Sequence, residues 1–413
     1  MVDRKVTSCF DLIIAGCGGA GLSLAWHISQ SNQLRQKKVL LIDSSAKQQN
    51  DRTWCFWTDK EPPYPNIQQK FWQKIQVKSG ENEAECHSYD IAPLRYYYTK
   101  GADFYDEVKN ELARHPNFTF CQEHIEHIDS SNSIANVRTK SNNYTADWVF
   151  SSLPVRIPQA CLTTKQHFVG WFVRTQENAF DPDSARLMDF DTPQESGASF
   201  FYLLPLTANE ALVEYTVISD QILTTEDYEQ ALRKYIDSNL GISSYEIESR
   251  ERGAIPMTNY SFPRMKSERV MHIGTAAGMT KASTGFTFMR MQKDAQRIVN
   301  QLEKYGNPQH TQSSPSRFRF YDTLLLHILK HYPQEAPRIF GSLFRNSTAP
   351  KVLSFMSEDT SWWQEVFIVA RLPWKPFLRS LWQYYVAPAL SYAVLWKNSN
   401  KDGYVSAQPK EAQ

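Results

Sequence analysis

One carboxylate lies in the middle of an otherwise apolar stretch, and its position suggests acid–base chemistry. The segment Ala211–Ile218 reads ALVEYTVI, a pattern typical of a buried β-strand, and Glu214 falls on the same face as Leu212 and Thr216. One interpretation is an acid whose pKa is raised by an apolar pocket, so that it can hold or deliver a proton. The alternative is an acid that faces solvent on a half-exposed sheet.

Other polar residues are weaker candidates for chemistry. Asp189 and Asp191 follow an apolar stretch, and they could serve only to cap or satisfy backbone groups. His327 and His331 are four residues apart, but the Glu of a zinc-binding HExxH helix is missing between them. Packing or surface roles are therefore favoured for both histidines, and we predict no metal centre.

A glycine-rich turn follows the first apolar stretch and predicts a phosphate-binding loop. Gly16, Gly18 and Gly21 fit the GxGxxG pattern, in which glycines allow a tight turn, close approach to a pyrophosphate and helix packing. Gly19 is the remaining glycine of the turn, and the N-terminus of the helix that follows offers free N–H groups to the phosphates. Asp43 ends the next strand, where an acid binds the adenosine ribose hydroxyls. The alternative is a glycine turn of some other α/β protein.

A second glycine-containing segment bears on whether the dinucleotide is NAD or FAD. In many flavoproteins a late strand runs into a glycine loop and a helix that cover the flavin end of the cofactor. Here Gly274–Gly278 follows the apolar strand Val270–Ile273, and Ser283–Phe288 leads into a helix. Thr275 stands where such loops usually have Asp, although its hydroxyl can still bond a ribityl hydroxyl. The segment favours FAD; an ordinary strand-to-helix loop is the alternative.

Two aromatic segments each allow two interpretations. Asp51–Trp57 places Arg52 among three aromatic residues just past the second strand, either as a ligand-facing loop or as core packing. The region from Trp362 to Trp396 is rich in Trp, Phe, Leu and Tyr with scattered basic residues. It is either the core of a helical subdomain or an amphipathic surface that sits on lipid.

The elements that must position these residues follow from the hydrophobic pattern. Strands at 10–15 and 38–42, with a helix at 22–31 between them, make a βαβ unit. Alternating and aromatic strands within 168–218 indicate an antiparallel sheet with one covered face. From Phe318 onward the chain reads as mostly helical. The predicted fold class is α/β: an FAD-binding Rossmann-type flavoprotein fold with an antiparallel-sheet substrate domain and a C-terminal helical region.

The domain boundaries follow from the same pattern. We predict a discontinuous FAD-binding domain, a substrate-binding antiparallel sheet domain, a C-terminal helical region that could face a membrane, and a polar tail. Their ranges are 8–60, 100–160 and 265–305 for the first, 61–99 and 161–264 for the second, 315–400 for the third and 401–413 for the tail.

Composition excludes several classes of protein. The 413 residues include 41% hydrophobic and 22% charged residues, which are ordinary globular values and exclude disordered and collagen-like chains. With a formal net charge of only +1, the chain has no overall positive electrostatic field that would attract nucleic acid. The six scattered cysteines form no CxxC pair, which favours free thiols in a reducing compartment. We expect neither a signal peptide nor a transmembrane helix.

Several stretches in the same order together resemble the FAD-dependent lycopene β-cyclases of bacteria and plants. The resemblance runs from about residue 11 to residue 381, and no single motif carries it. In this family Thr275 is the usual residue, whereas the strand end at 149–152 lacks the expected Asp. The matching stretches are 51–57, 170–171, 180–181, 187–190, 200–205, 212–216, 253–257, 273–278, 280–281, 283–288, 353–355, 360–361, 371–373 and 377–378.

The resemblance implies a reaction, a cofactor and a location. The family closes the acyclic ends of lycopene and related carotenes into β-ionone rings, giving γ-carotene and β-carotene by isomerisation without net redox change. It uses reduced FAD, with NAD(P)H as the electron donor, and assigns acid–base or cation-stabilising work to the residue matching Glu214. Because lycopene dissolves in the bilayer, peripheral association with the cytoplasmic side of a membrane is implied. The predicted cofactor-binding residues are Gly16, Gly18, Gly19, Gly21, Asp43, Arg52, Gly274, Thr275, Gly285 and Phe286.

Two rival functions share much of this pattern. A redox flavoenzyme acting on a lipid or isoprenoid, such as a monooxygenase or polyprenyl reductase, would have the same N-terminal motif but would not require Glu214. A non-catalytic flavin or carotenoid carrier would suit the aromatic content but would have no need of an acid in an apolar strand. Product mass separates the first rival from a cyclase, because cyclisation leaves the mass of lycopene unchanged.

Overall fold

The computed structural model describes residues 7–64, 66–67, 70–80, 86–308 and 315–390. The predicted polar tail, 401–413, and the last ten residues of the predicted helical region lie outside the described residues. Within these residues the chain is a mixed α/β structure with three sheets. Strands and helices are numbered separately along the chain below.

The strands and helices have the following bounds. The strands are β1 Thr7–Ala15, β2 Val39–Asp43, β3 Thr53–Thr58, β4 Lys70–Trp72, β5 Lys74–Lys78, β6 His87–Asp90, β7 Arg95–Lys100, β8 Phe118–Gln122, β9 Ile125–Ser131, β10 Ile134–Thr139, β11 Asn143–Ser151, β12 Thr163–Arg174, β13 Ser184–Asp189, β14 Ala198–Pro205, β15 Glu210–Ser219, β16 Glu246–Thr258, β17 Met265–Ser267 and β18 Val270–His272. The α-helices are α1 Gly19–Gln30, α2 Gly101–Leu112, α3 Thr225–Lys234, α4 Phe288–Tyr305, α5 Ser316–His331, α6 Ala336–Arg345, α7 Ala349–Met356, α8 Trp362–Val369 and α9 Trp374–Leu381.

The first sheet contains the predicted βαβ unit. Its main order is β17-β18-β11-β1-β2-β8, and β10 and β9 join it through β11. Strand β1 pairs in parallel with both β2 and β11, and α1 crosses from β1 to β2. Apolar residues fill both faces of these central strands, as expected for parallel strands covered by helices. The carboxyl ends of β1, β2 and β18 therefore meet at one edge of the sheet.

The second sheet has seven strands in the order β16-β12-β15-β14-β13-β5-β6, and only the β13–β5 pair is parallel. Side chains alternate along β15. Val213, Tyr215 and Val217 pack in one cluster with α3, whereas Leu212 and Ile218 pack in another with α5, α6 and α7. The prediction of one covered face is therefore wrong. Helices that the sequence pattern did not place against the sheet cover it on both sides.

Strands β3, β7 and β4 form a small third sheet. Its register places Cys55 opposite Tyr98 and Trp57 opposite Tyr96. Most of these aromatic side chains are buried, and they contribute to both neighbouring cores. The predicted domain boundary at residue 60 falls between β3 and its two partner strands.

The C-terminal helices contribute to the core of the sheet. Leu329 of α5, Phe340 of α6 and Leu353 of α7 are buried in the same cluster as Phe200 and Leu212 of the sheet. Proline residues stand in the first turns of α6 and α7, where a missing N–H costs no helical hydrogen bond. No helix within the described ranges has the length and apolar content needed to span a bilayer.

Candidate active site

A cavity of about 390 Å³ lies where the glycine turn, β3, β15, β16 and the loop before α4 meet. Seven of the eleven predicted site residues line it, which brings the predicted phosphate loop and the predicted acid into one space. These seven are Gly18, Gly19, Arg52, Glu214, Thr275, Gly285 and Phe286. The other four, which support the cavity without lining it, are Gly16, Gly21, Asp43 and Gly274.

The glycine turn is built by contacts that only glycine allows at two positions. Gly16 has φ +97°, and a Cβ there would lie 2.2 Å from Oγ of Ser152. A Cβ at Gly21 would lie 2.0 Å from the carbonyl oxygen of Gly16. At Gly18, by contrast, a Cβ would meet no atom within 4 Å, because the position faces the open cavity. The turn thus leaves an open cradle at the N-terminus of α1, which suits a phosphate group.

Two predicted cofactor residues hold this turn in place. The Cys17 backbone N–H donates to Oδ2 of Asp43 at 2.7 Å, and the Ser45 N–H donates to Oδ1 at 2.8 Å. A carboxylate retains further acceptor sites beyond these two bonds. Gly274 has φ +61°, and a Cβ there would lie 2.6 Å from the Cβ of Ala20, so glycine permits the loop to approach α1 closely.

Ser152 stands where the family pattern led us to expect an Asp-containing strand end. It lines the cavity, and its Oγ donates to the carbonyl oxygens of Ala15 and Gly16 at 3.3 and 3.2 Å. The hydroxyl therefore binds the turn itself.

The loop before α4 forms the opposite wall of the cavity. Thr275 Oγ1 and Thr280 Oγ1 are 3.0 Å apart, and Gly285 has φ +73°. The ring of Phe286 packs edge-on against Trp57, with centroids 4.5 Å apart. Thr284 also lines the cavity, and its buried Oγ1 has no protein partner in the described part of the chain.

Arg52 lies on the cavity wall, beside the glycine turn and the small sheet. Its guanidinium donates to Asp51 at 3.3 Å and lies 5.7 Å from the ring centroid of Trp54. Burial favours a protonated Asp51, but the Tyr105 hydroxyl and the Arg52 guanidinium outweigh it and lower the pKa of that carboxyl. Trp54 Nε1 is buried without a partner among the described residues, so the wall offers a second free donor besides Thr284.

Glu214 is buried, with 9% of its surface exposed, and lines the cavity from β15. The solvent-facing alternative is therefore wrong, because the second sheet is covered on both faces. Glu214 Oε1 accepts a hydrogen bond from Thr216 Oγ1 at 2.9 Å. Burial and the neighbouring charge of Glu251 raise the pKa of Glu214 well above its ordinary value.

Glu251, which the sequence analysis missed, lies beside Glu214. It is 5% exposed, lines the same cavity from β16, and accepts a hydrogen bond from Thr53 Oγ1 at 2.6 Å. Burial raises the pKa of Glu251. The charged, alternating sequence of β16 resembles an exposed strand and concealed this residue. One sequence signal could have identified Glu251: it lies two residues before the stretch 253–257, which resembles the lycopene β-cyclases.

The remaining candidates have structural environments. Asp189 is fully buried and accepts hydrogen bonds from Tyr235, Arg186 and the Asp191 backbone, so its oxygens are already bound by the protein. The rings of His327 and His331 lie 4.6 Å apart on α5. In the portion of the chain that the structure describes, no group of three or more His, Cys, Asp or Glu residues could hold a metal ion.

A buried lysine fixes the cavity loop to the C-terminal helices. Lys281 Nζ contacts Asp322 at 2.8 Å and Glu358 at 3.1 Å, and Ser283 Oγ donates to Asp322 at 2.7 Å. The Lys281 N–H donates to the Phe286 carbonyl oxygen at 3.1 Å. These bonds set the position of the segment that faces Glu214 across the cavity.

Replacing Lys281 with Met should lower the free energy of unfolding by about 3–5 kcal/mol, because the buried carboxylate of Asp322 loses its cation, whereas Glu358 keeps its pair with Arg290. Chemical denaturation measures this effect. Lys293→Met is the matched control, since it removes an exposed pair with Asp359 and should cost less than about 1 kcal/mol. Equal effects of the two substitutions would contradict the anchoring role of Lys281.

The sequence match to a known family covers nearly the whole described chain. Residues 11–382 match the family model described as lycopene cyclase protein. The chain belongs to the lycopene cyclase family. The match includes the glycine turn, both buried glutamates and the C-terminal helices as far as the residue after α9, and it confirms the resemblance seen in the sequence.

Individual members of this family are distant relatives. The chain is 23% identical over 326 residues to the chloroplastic lycopene beta cyclase of Arabidopsis thaliana, covering 75% of this chain and 63% of that protein. It is 25% identical over 287 residues to the lycopene beta-cyclase of Pseudescherichia vulneris, covering 67% of this chain and 70% of that protein. The match thus spans less than two thirds of the length of the plant protein.

Solved structures share the fold of this cyclase-family chain at low sequence identity. A geranylgeranyl bacteriochlorophyll reductase-like protein from Thermoplasma acidophilum aligns with a TM-score of 0.56 and 13% identity over 94% of this chain and 99% of that one. The flavin-dependent brominase Bmp2 aligns with a TM-score of 0.56 and 10% identity over 95% and 100% of the two chains. These likenesses confirm the predicted α/β flavoprotein fold.

Proposed function

We propose that this protein is an FAD-dependent lycopene β-cyclase, which isomerises the acyclic ends of lycopene into β-ionone rings. The observation that carries the proposal is the placement of one buried acid, Glu214, in the same cavity as the glycine cradle at Gly18. Family membership supplies the substrate class, an acyclic carotene. The product would be γ-carotene after one ring closure and β-carotene after two.

The residues of the cavity fit FAD. Gly18 and Gly19 leave room for a pyrophosphate at the start of α1, and Arg52 offers a cation on the same wall. Asp43 would take the adenosine ribose, and Thr275 a ribityl hydroxyl. The unpartnered donors Trp54 Nε1 and Thr284 Oγ1 could bind polar edges of the flavin, with Gly285 and Phe286 covering its ring. When bound in its reduced form, FAD would supply an electron-rich ring beside a developing cation, with NAD(P)H as the source of electrons.

Glu214 performs the acid step in this proposal. Its raised pKa favours the protonated carboxyl, which can deliver a proton to the terminal double bond of the polyene. The tertiary cation that results is attacked by the next double bond, and loss of a proton sets the ring alkene. Tyr96, Tyr202 and Phe286 line the cavity, where aromatic faces favour a cation and exclude water that would trap it.

A small apolar pocket adjoins the cavity, and we expect the rest of the polyene to extend into it. It shares Gln166, Tyr202, Thr284 and Phe286 with the main cavity, and it continues between the sheet and α5 and α6. Its volume is only about 10 Å³, so its aromatic walls would have to move apart as the substrate enters. Phe190, Phe200 and Phe340 form these walls.

Expression in lycopene-accumulating bacteria tests the proposal directly. Chromatography of the pigments should show lycopene replaced by β-carotene, or by γ-carotene if only one end is closed. Pigments of altered mass would favour the rival redox flavoenzyme, because reduction adds hydrogen and oxygenation adds oxygen. Unchanged lycopene in cells that contain folded, flavin-loaded protein would contradict the proposal.

Helices α8 and α9 expose an apolar surface that we propose docks on the membrane holding lycopene. Trp363, Phe367 and Trp374 are 60, 65 and 64% exposed, which is unusual for side chains so large. Exposed Trp side chains beside Lys375 and Arg379 suit the interface of a bilayer with anionic lipids. The aromatic composition noted in the sequence therefore divides between the core and this surface.

Replacing Trp363, Phe367 and Trp374 together with Ser should weaken binding to vesicles of mixed neutral and anionic lipid by at least about 100-fold. Full burial of one such side chain is worth about 1.5–3 kcal/mol, and about 1.4 kcal/mol is tenfold in affinity. Vesicle flotation measures the bound fraction. Phe120→Ser, which removes an exposed aromatic from β8, is the control and should leave binding unchanged. Equal binding by the triple variant and the unaltered protein would contradict this docking surface.

A further inference from the structure

We propose that Glu251 is a second acid–base residue of this site, and that Glu214 and Glu251 hold a single proton between them. The chemistry of the proposal rests on the cyclase function proposed above, whereas the sharing of the proton stands on geometry and can be tested without substrate.

The two carboxyl groups lie on one line across the second sheet. Residues paired across adjacent strands run in the order Glu251, Gly170, Glu214 and Tyr202, on β16, β12, β15 and β14. Directly paired residues project to the same side of a sheet. Both glutamates therefore point into the cavity, separated only by the central strand β12.

Gly170 permits the two side chains to meet over that strand. A Cβ at this position would lie 3.1 Å from Cγ of Glu251, 3.3 Å from its Oε1 and 2.8 Å from Cδ1 of Leu212. Without a side chain there, β12 places nothing between Glu214 and Glu251, and the charge of Glu251 acts directly on Glu214. Two carboxyl groups that face each other in a buried site can share a hydrogen bond only when one of them carries a proton, so this arrangement favours a singly protonated pair.

The surroundings decide which member carries the proton. Thr53 Oγ1 donates to Oε2 of Glu251, which favours the ionised form there. Burial and the charge of Glu251 favour the protonated form of Glu214. Glu214 is therefore the acid of the resting pair, and Glu251 is its carboxylate partner.

The thiol and phenol groups around the pair are neutral near pH 7. Burial raises the pKa of each thiol and phenol that faces the glutamates from the small sheet and from β14; these are Cys55, Tyr96, Tyr98 and Tyr202. The loop Gly285–Phe288 on the opposite wall has no titratable side chain. The charged residues that also line the cavity are Asp51, Arg52 and Arg252.

A pair that holds one proton balances the reaction. The O–H bond of Glu214 breaks as a C–H bond forms on the CH carbon of the terminal double bond, and the next double bond attacks the tertiary cation and closes the ring. The pair then bears two negative charges in a buried site, which stabilises the cation and makes either carboxylate a strong base. A C–H bond beside the cation breaks, its electrons form the ring double bond, and its proton returns to the pair. Nothing is oxidised or reduced.

Infrared titration of the full-length protein without substrate tests whether the proton is shared. The C=O stretch of a protonated carboxyl should persist above pH 7 in the unaltered protein and disappear in Glu214→Gln. In Glu251→Gln that band should titrate at least about one pH unit lower, because the charge that raises the pKa of Glu214 is gone. Glu246→Gln, an exposed position on the same strand, is the control and should titrate like the unaltered protein. Equal titration in Glu251→Gln would overturn the proposal even if the protein closed rings.

The pH dependence of turnover gives the second readout. Glu251→Gln should lower the rate of ring closure by about 10²–10⁴-fold. In the pH–rate profile of the remaining activity, the alkaline limb, where the rate falls with rising pH, should move to lower pH. Gly170→Ala keeps both carboxyl groups, but its added Cβ should push Glu251 away from Glu214. The alkaline limb should therefore move in the same direction. A purely structural role for Glu251 would lower the amount of folded protein while leaving the limb where it was, and that result would also overturn the proposal.

Discussion

Replacing Glu214 with Gln is expected to lower the rate of ring closure by about 10²–10⁴-fold, the range that a positioned general acid contributes. Gln has the size of Glu and can still accept the hydrogen bond from Thr216, so the strand and the cavity should keep their shape. What the variant lacks is the transferable proton. Pigment formation measured against a dilution series of unaltered protein would resolve a loss of this size.

The control for this substitution lies on the same strand. Glu210→Gln changes a carboxylate at the start of β15 that pairs with Arg174 outside the cavity, so its activity should stay near that of the unaltered protein. Both variants should bind FAD with unchanged affinity. Full turnover by Glu214→Gln would mean that another group donates the proton, and the mechanism proposed here would be wrong.

The second large effect is expected at the glycine cradle. Gly18 has φ −79° and ψ −166°, an extended conformation that any residue adopts, and its Cβ direction is open. Gly18→Val should therefore fold normally while its side chain fills the space of the pyrophosphate. Losing two charge-assisted hydrogen bonds at about 1.5–3 kcal/mol each weakens binding by about 100-fold or more. Titration of the purified protein with FAD measures the change.

Gly21 supplies the contrast that makes this result interpretable. A Cβ there would press on the backbone carbonyl of Gly16 at 2.0 Å, so Gly21→Ala should lower the melting temperature. Gly18→Val should leave the melting temperature of the flavin-free protein unchanged. Retention of full FAD affinity by Gly18→Val would place the dinucleotide elsewhere and contradict the proposed binding site.

Local patterns in the sequence identified the parts of the site whose signal lies within one element. The GxGxxG turn lies between a strand and a helix that are consecutive in the chain, and the structure places Gly18 and Gly19 on the cavity wall. Glu214 was identifiable because its own strand is apolar. Its burial could not be predicted, because it depends on α5 to α7, which return to cover the sheet more than a hundred residues later.

Glu251 shows why the rest of the site required the structure. Its neighbours Glu248 and Arg250 are exposed, so no periodicity along β16 marks it as buried. Its environment is set by strand register across β12 and by Thr53, which lies 198 residues away in sequence. Asp189 is the reverse case: a carboxylate that looked available is fully bonded to Arg186 and Tyr235, which its own segment does not reveal.

The division of the C-terminal aromatic residues also depends on tertiary structure. Composition alone fits both a core and a lipid-facing surface. The structure buries Phe340, Phe344 and Leu353 against the sheet and leaves Trp363 and Phe367 exposed. The exposed set is what the proposed docking surface needs, and the buried set covers the face of the sheet from which Leu212 and Glu214 project.

The most direct test of a cyclase is the stoichiometry of reduced flavin and product. Purified protein with lycopene in vesicles and a single equivalent of reduced FAD, kept without oxygen, should form many molecules of cyclic product per flavin. Each product should have the mass of lycopene, and oxidised FAD should support no turnover. Product limited to one molecule per reduced flavin, or a product that has gained hydrogen or oxygen, would contradict cyclisation and identify a redox enzyme.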